Sequence, residues 1–69
     1  MNLGERIYTL RSEKSLSQGD LAEMLNVSRQ SISKWENNSA VPDLDKIIKL
    51  SEIFGVSIDT LVRGKYRKR

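Results

Sequence analysis

Among its 69 residues the chain has no cysteine and no histidine. The first absence excludes a disulfide framework and any thiolate metal site. Together with the lack of a glycine-rich phosphate loop, and of an acidic pair set in a plausible cleft, the two absences leave acid–base, nucleophilic and metal-assisted mechanisms without their parts. An enzyme is therefore not expected, no cofactor or metal is expected either, and no small-molecule ligand is evident. No run of about 18 apolar residues occurs, and the N-terminus lacks the apolar stretch of a signal peptide. Nothing is expected to span or cross a membrane, and the cysteine-free composition is compatible with a reducing cytoplasmic setting. Proline appears once, at Pro42, within the one real loop over residues 38–43. Charge of one sign is not in large excess: 12 Lys plus Arg against 9 Asp plus Glu leave +3, which favours polyanionic partners only mildly. A chain this short is one small domain near the lower limit for a core-stabilised fold, so a compact helical bundle is the economical solution.

What is present is helical periodicity. Leu3, Ile7 and Leu10 recur at spacings of four and three and predict a first helix over Leu3–Glu13, followed by a corner at Lys14 and Ser15. A second helix is predicted over Gln18–Leu25, a third over residues 29–37, a fourth over Leu44–Phe54 and a fifth over residues 58–62, with almost no strand. Three of these starts repeat one device, in which an apolar residue precedes a serine and another apolar residue lies four positions beyond it. Leu16, Ser17 and Leu21 form the first, Val27, Ser28 and Ile32 the second, and Val56, Ser57 and Leu61 the third. Each reads as an N-cap with its hydrophobic staple, and Asp20 completes an approximate capping box with Ser17. Asn26 and Gly55 are the residues expected to turn left-handed at helix ends. Leu21, Ala22, Leu25, Val27, Ile32 and Trp35 are expected in the core. On the fourth helix Leu44, Ile47, Ile48, Ser51 and Phe54 are expected to face inward. Leu50 falls at the edge of that stripe, and Ile53 on the far side, either as a scattered surface residue or as a partner contact.

The third helix has a second face that packing does not explain. At about 100° per residue, Arg29, Gln30, Ser33, Lys34 and Asn37 share one arc of about 140°, opposite Ile32 and Trp35. The arc contains no acid, although solvated helix faces usually mix in acids. Its side chains suit nucleic acid: Arg and Lys pair with guanine or phosphate, Gln with adenine, and Ser and Asn with either.

Residues 3–64 resemble the phage Cro and repressor family of helix-turn-helix domains, the XRE family. The resemblance rests on LSQGDLA at residues 16–22, NVSRQSISKWE at 26–36, VPDL at 41–44 and IFGVSIDTL at 53–61. It implies an all-α bundle of five helices of the lambda-repressor-like type, with the helix-turn-helix formed by the second and third helices. The implied function is sequence-specific binding of double-stranded DNA by a prokaryotic or phage transcriptional regulator, a repressor, with the third helix in the major groove. By the same resemblance Arg29, Gln30 and Lys34 make base-edge contacts, with Ser33 as a fourth. Gln18 clamps a phosphate at the start of the second helix. Ser31 and Asn37 match further positions that contact the DNA backbone, and Ser28, Asn38 and Ser39 are expected to add to them. Arg11 and Glu36 would form a structural ion pair between the first helix and the reading helix.

Residues 1–64 are thus expected to form the DNA-binding domain and residues 65–69 a basic tail, as a solvated end, a backbone contact or the start of a linker. Repressor domains often pair through the carboxy-terminal region, which implies a homodimer on a two-fold symmetric operator. A different class, a protein-interaction module of the same fold that acts as an antitoxin, would require a toxin-binding segment beyond the fifth helix.

Overall fold

The computed structural model describes residues 1–64. They form α1 (Leu3–Glu13), α2 (Gln18–Leu25), α3 (Arg29–Glu36), α4 (Leu44–Phe54) and α5 (Ile58–Arg63), with no strand among the described residues. The predicted basic tail at 65–69 lies outside them. Two ends differ by one residue from the sequence expectation. α3 stops at Glu36, with Asn37 as its cap, because the chain turns left-handed at Asn38 (φ 65°). α5 continues to Arg63 and ends on left-handed Gly64.

Local chemistry fixes where each helix starts. Asn2, Ser17, Ser28, Asp43 and Ser57 are the N-caps, and each side chain accepts the backbone N–H three residues on at 2.9 to 3.1 Å. The Ser17–Asp20 capping box is complete, and the N–H and hydroxyl of Ser17 hold the exposed Asp20 carboxyl below its ordinary range. Asn2 and Glu5 make a further capping box that the sequence reading did not include.

The ends of α1 to α4 share one pattern as well. In each, the second residue past the last turn donates back six to one, and the left-handed residue before it donates five to two. Leu16 reaches Arg11 and Ser15 reaches Ser12; Val27 reaches Ala22 and Asn26 reaches Glu23; Ser39 reaches Lys34 and Asn38 reaches Trp35; Val56 reaches Ser51 and Gly55 reaches Glu52. These are Schellman closures. Three junctions are therefore the same three-residue unit of left-handed residue, apolar residue and serine cap: Ser15-Leu16-Ser17, Asn26-Val27-Ser28 and Gly55-Val56-Ser57.

The core takes one wholly buried side chain from every helix, Ile7, Leu21, Ile32, Leu50 and Leu61, surrounded by Ala22, Leu25, Trp35, Ile47 and Phe54. Helix α4 is rotated from the sequence expectation. Leu50, expected at the edge, is at the centre, while Leu44 is 68% exposed and Ile48 lies at the surface. Ile53, expected on the far side, packs against the core. Leu44 opens the helix beside its Asp43 cap, before the stripe of Ile47, Leu50, Ser51 and Phe54 begins. Because α4 is apolar on several sides, the surrounding helices decide which stripe is buried. Ser51 satisfies its buried hydroxyl on the Ile48 carbonyl at 2.7 Å.

Two of the long-range ties of α1 involve residues near its amino end. The guanidinium of Arg6 donates to the carbonyls of Leu61, Val62 and Met1, satisfying the carboxy-terminal end of α5. Gly4 is buried where α1 crosses the end of α3, and a Cβ there would lie 2.5 Å from the Glu36 carbonyl oxygen and 2.6 Å from that of Trp35. Gly4→Ala is accordingly expected to destabilise by about 1 to 3 kcal/mol through overpacking. An open helical site would instead gain up to about 1 kcal/mol from alanine. Urea unfolding of the variant reads the sign, and a gain in stability would show that the helices are not in close contact.

Candidate nucleic-acid interface

Ser28 caps α3 and aims it. The Ser28 hydroxyl accepts the Ser31 N–H at 3.1 Å and lies 3.1 Å from the Ser31 hydroxyl, so both serines take part in fixing the helix start. Behind it, Ile32 and Trp35 are buried. In front, Arg29, Gln30 and Lys34 are exposed, and Ser33 is half-buried beside them. The first turn of α3 carries no acid. Gly19 at the start of α2 lies beside the Arg29 side chain, and a Cβ there would make only an ordinary contact with Arg29 Cδ at 4.0 Å.

The one acid of α3 is withdrawn from that face. Glu36 accepts from Arg11 Nε at 2.7 Å and from Arg11 Nη2 at 3.1 Å, and both side chains are largely buried. The bidentate pair raises the guanidinium's pKa above its ordinary value, chiefly through the hydrogen bond to Glu36. The third guanidinium nitrogen donates to the Leu16 carbonyl at 2.8 Å, and Tyr8 packs beneath the guanidinium, its ring centre 5.2 Å away. Arg11 and Glu36 thus meet, as the resemblance implied, and the one acid of α3 is paired with a cation.

The other expected contact residues divide by what already occupies them. Gln18, half-buried at the first position of α2, donates from Nε2 to Glu36 Oε1 at 3.0 Å. Asn37 is exposed and accepts the Ser39 N–H at 2.9 Å. Asn38 is tied to α1 at both polar ends, accepting from the Gly4 N–H at 3.2 Å and donating to Asn2 Oδ1 at 3.0 Å. Of its side-chain donors it therefore keeps one Nδ2–H for anything outside the fold. Ser39 is exposed, with its N–H closing the end of α3 on the Lys34 carbonyl at 2.8 Å. The Gln18–Glu36 and Asn38–Gly4 links have no local signal in the sequence, because both join residues far apart in the chain.

The sequence and the fold are similar to those of known proteins. A model of the helix-turn-helix domain matches residues 4–67. The HTH-type transcriptional activator BcrR of Enterococcus faecalis is 42% identical over 65 residues, covering 94% of this chain and 32% of that protein. The SPbeta prophage-derived HTH-type transcriptional regulator YonR of Bacillus subtilis (strain 168) is 43% identical over 63 residues, covering 91% of this chain and 58% of that protein. The chain thus spans from about a third to somewhat over half the length of these relatives. Among solved structures, the P22 c2 repressor protein in complex with a synthetic operator superposes with a TM-score of 0.89 at 32% identity, over 94% of this chain and 98% of that one. From the capped, closed helix pair to the ion pair behind it, the chain belongs to the helix-turn-helix domain family of the Cro and repressor type.

Proposed function

We propose that residues 1–64 are the sequence-specific double-stranded-DNA-binding domain of a prokaryotic or phage transcriptional regulator, acting in the cytoplasm as a repressor and without catalytic activity. The observation that carries this reading is the acid-free face of α3, with Glu36 sequestered behind it by Arg11. Likeness to an operator-bound repressor over nearly the whole chain supports it. Among the described residues no helix is long and apolar enough to cross a membrane.

On DNA, α3 enters the major groove, where Arg29 and Gln30 in its first turn read base edges and Lys34 and Ser33 extend the contact. Gln18, Ser28, Ser31, Asn37, Asn38 and Ser39 line the flanks and meet the phosphates. Two copies bind a two-fold symmetric site about 34 Å from groove to groove. Pairing uses the carboxy-terminal region, where Ile58 and Val62 stand exposed one turn apart on α5.

Selection of bound sequences from a random duplex pool tests the class, and an enriched two-fold symmetric site is the expected result. A panel of single-base variants of that site then separates reading from clamping. Arg29→Ala and Gln30→Ala should each cost about 1 to 3 kcal/mol on the preferred site and relax discrimination at particular base pairs. Gln18→Ala should weaken all sequences by similar factors, since a phosphate contact carries no base information. Circular dichroism checks that each variant is folded. Unchanged base preferences in both α3 variants would remove α3 from the reading role.

A further inference from the structure

The ion pair accounts for two of the three hydrogen bonds that Glu36 accepts. The third comes from Gln18, whose Nε2 shares Oε1 of Glu36 with Arg11 Nη2. A carboxylate only accepts, so it admits the amide of Gln18 by its NH2 end and repels the carbonyl end. One Nε2–H is thereby committed inward and the other is left for a partner outside. The same guanidinium that holds Glu36 also holds the Leu16 carbonyl, directly before the Ser17 cap of α2. Backbone and side chain at the start of α2 are therefore referenced to one buried carboxylate at the end of α3.

Resting on the DNA-binding reading, we propose that Glu36 is a positioning residue for phosphate contact: its carboxylate holds the Gln18 amide in the one orientation that turns an N–H toward the DNA backbone. The buried pair then does more than join helices. It sets the distance between the phosphate clamp on α2 and the base-reading turn of α3.

The test is a methylphosphonate scan of the selected duplex, which neutralises one phosphate at a time, with the wild type, Gln18→Ala and Glu36→Gln. The wild type is expected to lose about tenfold or more at the phosphate held by Gln18, the loss of a hydrogen bond to a charged group. Gln18→Ala should become indifferent to that position. Glu36→Gln replaces one acceptor with a donor, so Arg11 and Gln18 compete for a single oxygen, and sensitivity at the same phosphate should fall to within about twofold while the other phosphates keep their wild-type cost. A purely structural Glu36 would lower the melting temperature and leave the phosphate profile unchanged, and that result overturns the proposal. So does a wild-type profile without any phosphate that Gln18→Ala silences. Absence of duplex binding by the wild type would instead remove the DNA-binding reading itself, and the proposal with it.

If Glu36→Gln does not fold, nuclear magnetic resonance of the wild type decides. One Gln18 amide proton should exchange slowly in the free protein, and the second should become protected only on DNA. Two freely exchanging protons in the free protein would overturn the assignment.

Discussion

Raising salt from 50 to 200 mM is expected to weaken binding of the domain to its duplex site by about 10³- to 10⁵-fold, the loss that follows when about 6 to 10 phosphates are neutralised across a dimer. The formal net charge of +3 would not produce that by long-range attraction alone. The dependence comes from where the charges stand. Arg29 and Lys34 are exposed on α3, while the acid of the same helix is paired to Arg11 and largely buried. Each phosphate met by such a face releases condensed counterions, and added salt opposes that release. Fluorescence titrations of a labelled site at several salt concentrations give the slope directly. Association that ignores salt, or no binding to any duplex at low salt, would favour a protein-interaction role for the same fold.

Trp35→Ala is expected to cost about 3 to 5 kcal/mol of stability with no DNA present. Trp35 is 7% exposed in the core on the inner face of α3, two turns along from the first reading residue. Its backbone carbonyl lies at the Gly4 crossing, so a cavity there loosens α3 against α1 as well as α2. A chain of 69 residues has a total stability of about 3 to 10 kcal/mol. The substitution therefore removes a large share of it, and the thermal midpoint should fall by at least about 12 °C. Thermal unfolding followed by circular dichroism measures this. An unaltered midpoint would mean that Trp35 does not support the core.

Much of the fold was legible because its signals are local. Ser17, Ser28 and Ser57 announce helix starts within four residues of sequence, and Asn26 and Gly55 are residue types suited to left-handed backbone. Ser15 and Asn38 take the same conformation but give weaker notice, since serine seldom does so and Asn37 is an equally good candidate beside Asn38. The buried face of α4 was not legible. Leu44, Ile47, Ile48, Leu50, Ile53 and Phe54 surround that helix with apolar side chains, and only contact with its neighbours selects among them. The face of α3 could be read because apolar and polar residues divide it cleanly. The contacts behind it could not, since Gln18 meets Glu36, Arg6 meets Leu61 and Gly4 meets Asn38 only after the chain has folded.

The repeated junctions bear on how the molecule reaches this state. Each of the three units closes one helix and opens the next within three residues, so the turn angle between neighbours is encoded where the chain bends. Contacts between sequence neighbours close short loops, and short loops cost little chain entropy to form. Across two of these units the neighbours dock on each other, α2 on α3 and α4 on α5, whereas α1 packs against α3 and α5 rather than against α2. The far-reaching ties of Arg6 to α5 and of Gly4 to the end of α3 then fasten α1 onto the two helix pairs that the local turns have set.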